Sequence, residues 1–408
     1  MQGQSKIRIQ DPLYLASITL LLGLCGSLVY WTVRLAYGNV LFRSQSVTAL
    51  QRAARLDPLN ASYFAELALR AEPAIADSAL ERATELDPLN SNYWIQRGVR
   101  AEFAGDLTAA EQYFLRASQV SRLLGPRISL ANFYLRRGNP DQFWKWARSA
   151  LDISYGDLEG TFLLCWQMTP DAKVILDRAL PQRPGVLAQF LKFVVQQAGA
   201  VAAQPVAEVL LTCADEDSRD ALLDYCERLI AAGRFPAAHE IWLGLDRRGL
   251  LGSGVHASGN LLYNAAFDAR PLQRAFDWKV TSNSDVTSSV QPGGIIEVTL
   301  TGEQPEQFIV LSQVVALDGS GSCRFSFESL TKVHSDPGLT WRVEDLETHG
   351  ELARLPVAGS DQWTPQVMQL TNPHTRFILV TLEYERRSGT IRYEGRADFR
   401  RLRLEANR

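Results

Sequence analysis

The chain has 408 residues, 46% of them hydrophobic, and carries 42 Lys and Arg against 45 Asp and Glu, a formal net charge of −3. This composition excludes a disordered chain, which combines low hydrophobicity with high net charge. It also excludes nucleic acid as the expected partner, because there is no excess of positive charge to neutralise a phosphate backbone. The length predicts two or three domains, and five cysteines are too few for a disulfide-rich scaffold.

An uncharged segment lies near the N-terminus. Residues 12–33 (PLYLASITLLLGLCGSLVYWTV) are mostly aliphatic, and as a helix they rise about 33 Å, enough to cross a bilayer. We predict a tail over 1–11 and a transmembrane helix over 12–36. A cleaved signal peptide is the alternative, but the apolar run is long for a signal core and no small-residue cleavage motif follows it. Positive charges are nearly balanced on its two sides, so charge leaves the membrane orientation open.

The middle of the chain repeats itself. LERATELDPLNSNYW (80–94) echoes LQRAARLDPLNASYF (50–64), which indicates helix pairs that each bury an apolar face on a neighbour. Within 91–122, Gly98 is small enough for two antiparallel helices to approach closely, and Phe114 is expected to fill the groove against the next helix. The fuller pattern comprises Trp94, Gly98, Gly105, Asp106, Ala110, Phe114 and Ala117.

This pattern resembles the tetratricopeptide repeat (TPR), in which Trp, Leu-Gly, Tyr, Ala, Phe, Ala and Pro recur over about 34 residues. The resemblance implies a helical array over 44–248, best matched in 61–151, degenerate afterwards and with a late echo in 222–245. Such arrays bind peptides or partner proteins on a concave face, although this array could also be a simple spacer. Repeat position gives four candidate partner-binding residues: Asn92, Glu102, Asn132 and Arg136.

The composition changes after residue 249. Residues 249–259 (GLLGSGVHASG) have the composition of a linker. Short alternating runs follow and are separated by turn residues, which predicts an antiparallel β-sandwich over 260–405. The predicted strands cover 295–301, 307–317, 323–330, 339–345, 375–385 and 390–395.

The order of features in 260–405 resembles the jelly-roll superfamily of carbohydrate-binding modules and galactose-binding-like domains. The resemblance rests on NLLYNAAF (260–267), FDW (276–278) and the closing RYEGRADFRRLRLE (392–405). It implies an antiparallel jelly roll that binds glycan by stacking aromatic rings on the apolar faces of sugars. The candidate glycan-binding rings are Trp278, Trp363 and Tyr393.

Core packing is the alternative role for most of these rings. Trp341 and Tyr384 alternate with aliphatic residues and are predicted to point inward, and so is Cys323. Related modules often hold a structural calcium, but Asn264 and Asp268 would supply only two of the six to eight oxygen ligands that such a site needs. We therefore expect neither a metal nor a cofactor.

The sequence shows no catalytic constellation. His239-Glu240 begins like a zinc-protease helix but lacks the second histidine, and 252–257 fits GxGxxA without the strand that should precede it. Glu344, Asp345 and Glu347 form the one notable acidic cluster. The segment 386–408 holds eight Arg against three acids, either a patch for an anionic polymer or a solvated strand face.

The sequence favours a non-catalytic, single-pass membrane protein that acts as a scaffold in a bacterial cell envelope. The soluble region is expected outside the cytoplasm, where domains similar to carbohydrate-binding modules mostly work, and the role expected is in exopolysaccharide or surface-glycan assembly. One alternative is a cytoplasm-facing adaptor with a purely structural β domain, which predicts no sugar binding. Another is a degenerate glycan-active enzyme built on the acidic cluster.

Overall fold

A computed structural model gives the architecture, with fourteen helices followed by ten strands within the residues that it describes. The predicted tail 1–11 and the middle of the predicted linker, 253–258, lie outside those residues. Two compact units are present, Met1–Gly156 and Asp157–Arg408. The described residues are 12–252, 259–317, 322–331, 337–370 and 375–406.

The first unit is built from consecutive antiparallel helices. Short polar caps begin several of them: Asn60, Asn90 and Asp106 each accept a hydrogen bond from a backbone N–H in the first turn that follows. The helices are α1 (Pro12–Arg43), α2 (Val47–Leu56), α3 (Ala61–Arg70), α4 (Pro73–Leu86), α5 (Ser91–Phe103), α6 (Leu107–Val120), α7 (Leu124–Arg136) and α8 (Pro140–Ile153).

The α5–α6 pair confirms the close approach predicted from the repeat. A Cβ on Gly98 would lie 2.8 Å from two ring carbons of Phe114, so only glycine fits there. Phe114 is fully buried and its ring centroid lies 5.4 Å from that of Phe133 on α7, as expected for a side chain that fills the groove against the next helix.

The apolar segment of α1 continues without interruption into the first helix pair. Every residue from Leu15 to Val33 is exposed. Beyond it, Arg34 donates from Nε to the Leu56 carbonyl at the end of α2 (2.6 Å). The Tyr63 hydroxyl donates to Asn39 Oδ1 (2.7 Å). The last third of α1 is therefore part of the array.

Among the residues that the structure describes, two helices are long and apolar enough to cross a membrane, α1 and α11 of the second unit. In α11 the apolar side chains are largely covered, with Phe190, Leu191 and Val194 buried against α9, α12 and α13, so α11 is a core helix. The helices of this unit are α9 (Glu159–Met168), α10 (Ala172–Arg178), α11 (Pro184–Ala202), α12 (Gln204–Cys213), α13 (Glu216–Ala231) and α14 (Phe235–Arg247).

The rest of the second unit is a sandwich of two antiparallel five-stranded sheets, which confirms the predicted fold class. Their strand orders are β1-β4-β9-β6-β7 and β2-β3-β10-β5-β8, with the connections of a jelly roll. The strands are β1 (Lys279–Val280), β2 (Val286–Gln291), β3 (Ile295–Thr301), β4 (Gln307–Ala316), β5 (Cys323–Leu330), β6 (Leu339–Asp345), β7 (Glu351–Pro356), β8 (Thr364–Leu370), β9 (Phe377–Glu385) and β10 (Glu394–Ala406).

The sandwich core contains the side chains predicted to point inward. Trp341, Tyr384 and Cys323 are each at most 1% exposed. The predicted strand 390–395 begins only at Glu394, because the chain before it forms a turn in which Ile391 is 93% exposed. Strands β1, β2, β7 and β8 were not predicted.

Candidate functional site

The four candidate residues of the array lie on α5 and α7, and the structure brings two of them together. Arg136 donates from Nε to Glu102 Oε1 (2.8 Å) and from Nη2 to Oε2 (2.6 Å), joining the ends of the two helices. These hydrogen bonds raise the pKa of Arg136 above its ordinary value. Asn132 lies one turn before Arg136 and is half-buried, whereas Asn92 is exposed at the opposite end of α5.

Two exposed apolar side chains flank this ion pair, and sequence analysis missed both. Val99 lies three residues before Glu102 and four before Phe103, so the three share one face of α5. Phe103 is 89% exposed, an uncommon state for a phenyl ring in water. The sequence signal that could have identified them is an apolar residue at each of two positions on the face of α5 that carries Glu102. We call Val99, Glu102, Phe103, Asn132 and Arg136 the α5–α7 surface.

A groove of about 630 Å³ adjoins Phe103 and is lined by α4, α5 and α6. Arg100 orders one wall, since its Nε contacts Asp77 Oδ1 (2.6 Å) and its Nη2 donates to the Pro73 carbonyl (3.0 Å). Phe103 also lines the groove. A bound chain segment could therefore contact the α5–α7 surface and the groove together.

An arginine held between two rings stiffens α5 against α6. The guanidinium carbon of Arg97 lies 4.3 Å from the ring centroid of Tyr113 and 5.5 Å from that of Trp94. Arg97 also donates to the Tyr113 hydroxyl (2.8 Å) and to Thr84 Oγ1 (3.1 Å). Cation–π contacts with hydrogen bonds of this kind fix the side chain in one orientation. Trp94, a residue of the repeat pattern, thus acts in the structure of the array.

Two of the three candidate glycan-binding rings are core residues. Trp278 is fully buried and lies between Phe267 and Trp341, with ring centroids 5.6 and 6.3 Å away. Tyr393 is 8% exposed and donates its hydroxyl proton to the Thr331 carbonyl (2.9 Å). Neither ring offers an open face to a sugar. The prediction of Trp278 and Tyr393 as glycan platforms is therefore corrected by their burial.

The third ring, Trp363, is half-buried beside a charged group of strands β5 and β10. The guanidinium carbon of Arg400 lies 4.0 Å from its ring centroid. Arg400 Nε and Arg401 Nη1 each lie 2.7 Å from an oxygen of Glu328. These hydrogen bonds, that from Arg400 first, lower the pKa of Glu328. A β-bulge lies between Arg400 and Arg403, and Arg401 within it has φ of +53°.

Acidic side chains pair with arginines of the closing segment. Arg396 contacts Glu297 and Asp398, both at 2.6 Å, and Arg386 contacts Glu306 at 2.7 Å. The positive charge of the segment is therefore partly neutralised within the sandwich. This pairing favours a solvated strand face over a patch for an anionic polymer.

Glu344 and Asp345 of the acidic cluster, on β6, also make structural contacts. Glu344 is paired with Arg342. Asp345 is 8% exposed and accepts the backbone N–H groups of Glu347 (2.7 Å) and Thr348 (3.2 Å). Burial alone would raise the pKa of Asp345, but these hydrogen bonds lower it below its ordinary value. Asp345 therefore closes a turn instead of facing water.

The opening loop of the sandwich uses Asn264 structurally. Asn264 donates to the Ala269 carbonyl (2.9 Å) and accepts the Ala269 N–H (3.3 Å), while Asp268 is exposed. Among the described residues, no group of three His, Cys, Asp or Glu side chains is arranged to hold a metal ion.

Helices α13 and α14 pack against the sandwich through a polar contact that sequence analysis did not predict. Glu227 on α13 accepts the backbone N–H of Ala275 and contacts Lys279 Nζ (2.9 Å). Arg274 lies 3.2 Å from Asp224, one turn earlier on the same helix.

Aromatic rings of α14 extend this contact. Trp242 lies edge-on to Tyr263, with centroids 5.0 Å apart, and His239 lies 5.1 Å from the ring of Phe276. The two helices that carry the late repeat echo are thus built into the same unit as the β domain. The predicted domain bounds, with the array ending at residue 248 and the β domain beginning at residue 260, remain a prediction.

In the described residues, an apolar helix and a series of antiparallel helices precede a sandwich of two five-stranded antiparallel sheets. No family model and no curated protein matches the chain. Among solved structures it is similar to a CBM4 carbohydrate-binding module (13% identity, 36% of this chain and 99% of the other, TM-score 0.28).

Two further solved structures are similar to parts of the chain. They are pilF of Pseudomonas aeruginosa (18% identity, 55% of this chain and 92% of the other, TM-score 0.25) and YrrB, described as a TPR protein with an unusual peptide-binding site (14% identity, 49% and 93%, TM-score 0.24). At these identities and TM-scores the likeness concerns the fold alone and carries no argument about ligands.

Proposed function

We propose that this protein is a non-catalytic, membrane-anchored adaptor that binds a partner protein on its helical array. The observation that carries the proposal is the α5–α7 surface, where Phe103 and Val99 are exposed beside the Glu102–Arg136 ion pair. Aromatic residues, phenylalanine among them, and arginine are enriched in protein–protein interfaces relative to the rest of the surface. The adjoining groove supplies room for a chain segment of the partner.

The membrane anchor is α1. Its residues 15–33 are all exposed and uncharged, and free energy favours their transfer from water into hydrocarbon. Because α1 runs directly into the first helix pair, an anchor there would hold the array close to the bilayer.

We assign the soluble region to the outer side of a bacterial inner membrane, with a role in exopolysaccharide or surface-glycan assembly. The sandwich resembles modules that work outside the cytoplasm. A cytoplasm-facing adaptor with a structural β domain is the alternative. Alkaline phosphatase and a fluorescent protein that matures only in the cytoplasm, each fused to the C-terminus, distinguish them, since phosphatase activity without fluorescence supports the outer assignment and the reverse refutes it.

Partner binding is tested by photo-crosslinking in cells. A photoreactive residue at position 103 or 99 should give one discrete adduct, and Phe103→Glu should reduce capture at position 99 by about tenfold, the cost of a lost hot spot. A photoreactive residue at Ile391, which is equally exposed on the sandwich, is the matched control and should give no such adduct. Equal labelling at 103 and 391 would refute the array as the partner site.

Glycan binding is a second candidate, which the half-exposed Trp363 beside Glu328 and Arg400 favours. The full chain should bind at least one polysaccharide on a glycan array, and Trp363→Ala should abolish that signal. Arg324→Ala, a change of an exposed arginine on the same sheet, should leave the signal intact. Binding that survives Trp363→Ala would exclude this site.

A further inference from the structure

The turns between helices of the first unit lie alternately on two edges of the array. Because α2 runs antiparallel to α1, the turn that follows Leu56 lies on the edge near Arg34. Ser62 Oγ and the Tyr93 hydroxyl are 3.5 Å apart, so α3 and α5 begin on that same edge.

The later turns follow the same alternation. The Glu102–Arg136 contact joins the far ends of α5 and α7, so these two helices run in the same direction. Arg127 Nε at the start of α7 donates to Ser149 Oγ near the end of α8 (2.9 Å). The turns 57–60, 87–90 and 121–123 and the chain after α8 therefore share one edge, which we call the α1-proximal edge.

An exposed apolar side chain occurs in every turn of the α1-proximal edge. Leu59 and Leu89 are both 73% exposed, Leu123 is 72% exposed, and Tyr155 after α8 is 88% exposed. We call these four residues the edge row. The turns of the opposite edge are small or polar: Ser44–Ser46, Ala71–Glu72, Ala104–Asp106 and Arg137–Asn139. The exposed Phe103 that precedes one of them ends α5 and belongs to the α5–α7 surface.

The α1-proximal edge lies beside the residue of α1 at which the apolar segment ends. Arg34 is the first charged residue after residues 12–33, and it contacts the carbonyl of Leu56. Tyr30 and Trp31 lie within about one helical turn before Arg34 on α1. Amphipathic rings in this position are typical of a membrane–water interface.

The charges of the edge favour apolar insertion over attraction to anionic lipid. Its three turns 57–60, 87–90 and 121–123 carry Asp57, Asp87 and Arg122, which give no positive excess. Asp57 is turned to its own backbone, since its Oδ1 accepts the Leu59 N–H (3.3 Å). An edge with protruding leucines and no positive excess fits a zwitterionic bilayer better than an anionic one.

We propose that the α1-proximal edge rests on the membrane that α1 crosses, with the edge row inserted into the lipid interface. This inference rests on the proposed anchoring by α1. It assigns the lipid surface as the binding partner of the leucine that recurs in the LDPLN turns. It leaves the α5–α7 surface free for a protein partner.

The test uses the full-length chain in phosphatidylcholine vesicles. An environment-sensitive dye is attached to one introduced cysteine at a time, in a background with both Cys25→Ser and Cys213→Ser, because Cys25 is exposed and Cys213 is half-buried. The edge positions are Leu59→Cys and Leu89→Cys. The matched controls are Glu72→Cys and Ala104→Cys, which are exposed in turns of the opposite edge. Ile18→Cys in α1 reports whether the anchor is in lipid.

We expect iodide in the aqueous phase to quench the dye at 59 and 89 at least about threefold less than at 72 and 104. Shallow nitroxide lipids should quench the edge positions more than the controls. If Ile18→Cys is open to iodide, the anchor itself fails. If iodide does not quench the dye at Ile18→Cys but quenches the dyes at positions 59 and 89 as strongly as those at 72 and 104, α1 is in lipid and the inference about the edge is overturned.

A second variant separates insertion from simple proximity. Leu59→Asp combined with Leu89→Asp should expose a dye at Leu123→Cys to iodide while Ile18→Cys stays protected. Protection of the edge that appears only when anionic lipid is added would also overturn the inference, because it would indicate an electrostatic contact.

Discussion

The ring of Phe114 lies so close to Gly98 that two of its carbons would be 2.8 Å from a Cβ at that position. Contacts this short are absent from relaxed packing, so Gly98→Ala should force the buried ring to shift and destabilise the first unit by about 1–3 kcal/mol. Thermal unfolding followed by circular dichroism measures the change. Gly125→Ala on α7, where no atom lies within 4 Å of the new Cβ, should leave the midpoint unchanged or raised. Equal midpoints for the two variants would contradict the close approach.

The carboxylate of Glu227 should hold α13 against the sandwich. Glu227→Ala removes the acceptor of the Ala275 N–H and the partner of Lys279, and because the side chain is partly solvated we expect a loss of about 1 kcal/mol. Hydrogen exchange at the Ala275 amide should accelerate. Glu240→Ala, an exposed acid on α14, is the control and should leave that amide protected. An unchanged exchange rate in Glu227→Ala would show that the aromatic contacts alone maintain the interface.

The buried thiols should be inert in the folded protein. Burial raises the pKa of Cys165 to about 12, and it also raises the pKa of Cys226. Since the thiolate is the reactive form, neither should react with an alkylating reagent at neutral pH before unfolding. In a Cys25→Ser background, half-buried Cys213 should label first by mass spectrometry. Early labelling of Cys165 would contradict its burial.

Stability should depend on pH through Asp277. Burial raises the pKa of this carboxyl group, which accepts the N–H groups of Leu272 (2.6 Å) and Trp278 (2.7 Å). The folded chain therefore holds the proton more tightly than the unfolded chain, so stability is fully present below the unfolded pKa of about 3.9 and falls as the pH rises toward the folded value. Asp277→Asn should flatten this part of the profile. Asp268→Asn, a change of an exposed aspartate nearby, should not, and identical profiles for both would refute the assignment.

Local patterns predicted the elements whose neighbours lie close in sequence. The LDPLN echo marked two inter-helix turns, and Gly98 with Phe114 marked the close helix pair. Strands β3, β5 and β6 were found with their bounds because buried and partly exposed residues alternate along them. Strand β7 has no such alternation, since none of its residues is buried, and it was missed.

The role of an aromatic residue depended on contacts distant in sequence. Trp278 and Trp363 are both isolated tryptophans in polar sequence, yet one is in the core and the other is half-buried under Arg400. Periodicity shows that a helix has an apolar face but not which element covers it. For this reason the packing of α14 on the sandwich could not be predicted from residues such as Trp242.

The uninterrupted passage of α1 into the first helix pair has a consequence for assembly. Each residue of an α-helix adds about 100° of rotation and 1.5 Å of rise. If α1 crosses a membrane, the number of residues between the apolar segment and Arg34 would therefore determine how the α5–α7 surface is rotated about the axis of α1. Inserting one alanine before Arg34 would turn the whole array by more than a quarter of a circle, and a partner fixed in the same bilayer would then meet a different side of it.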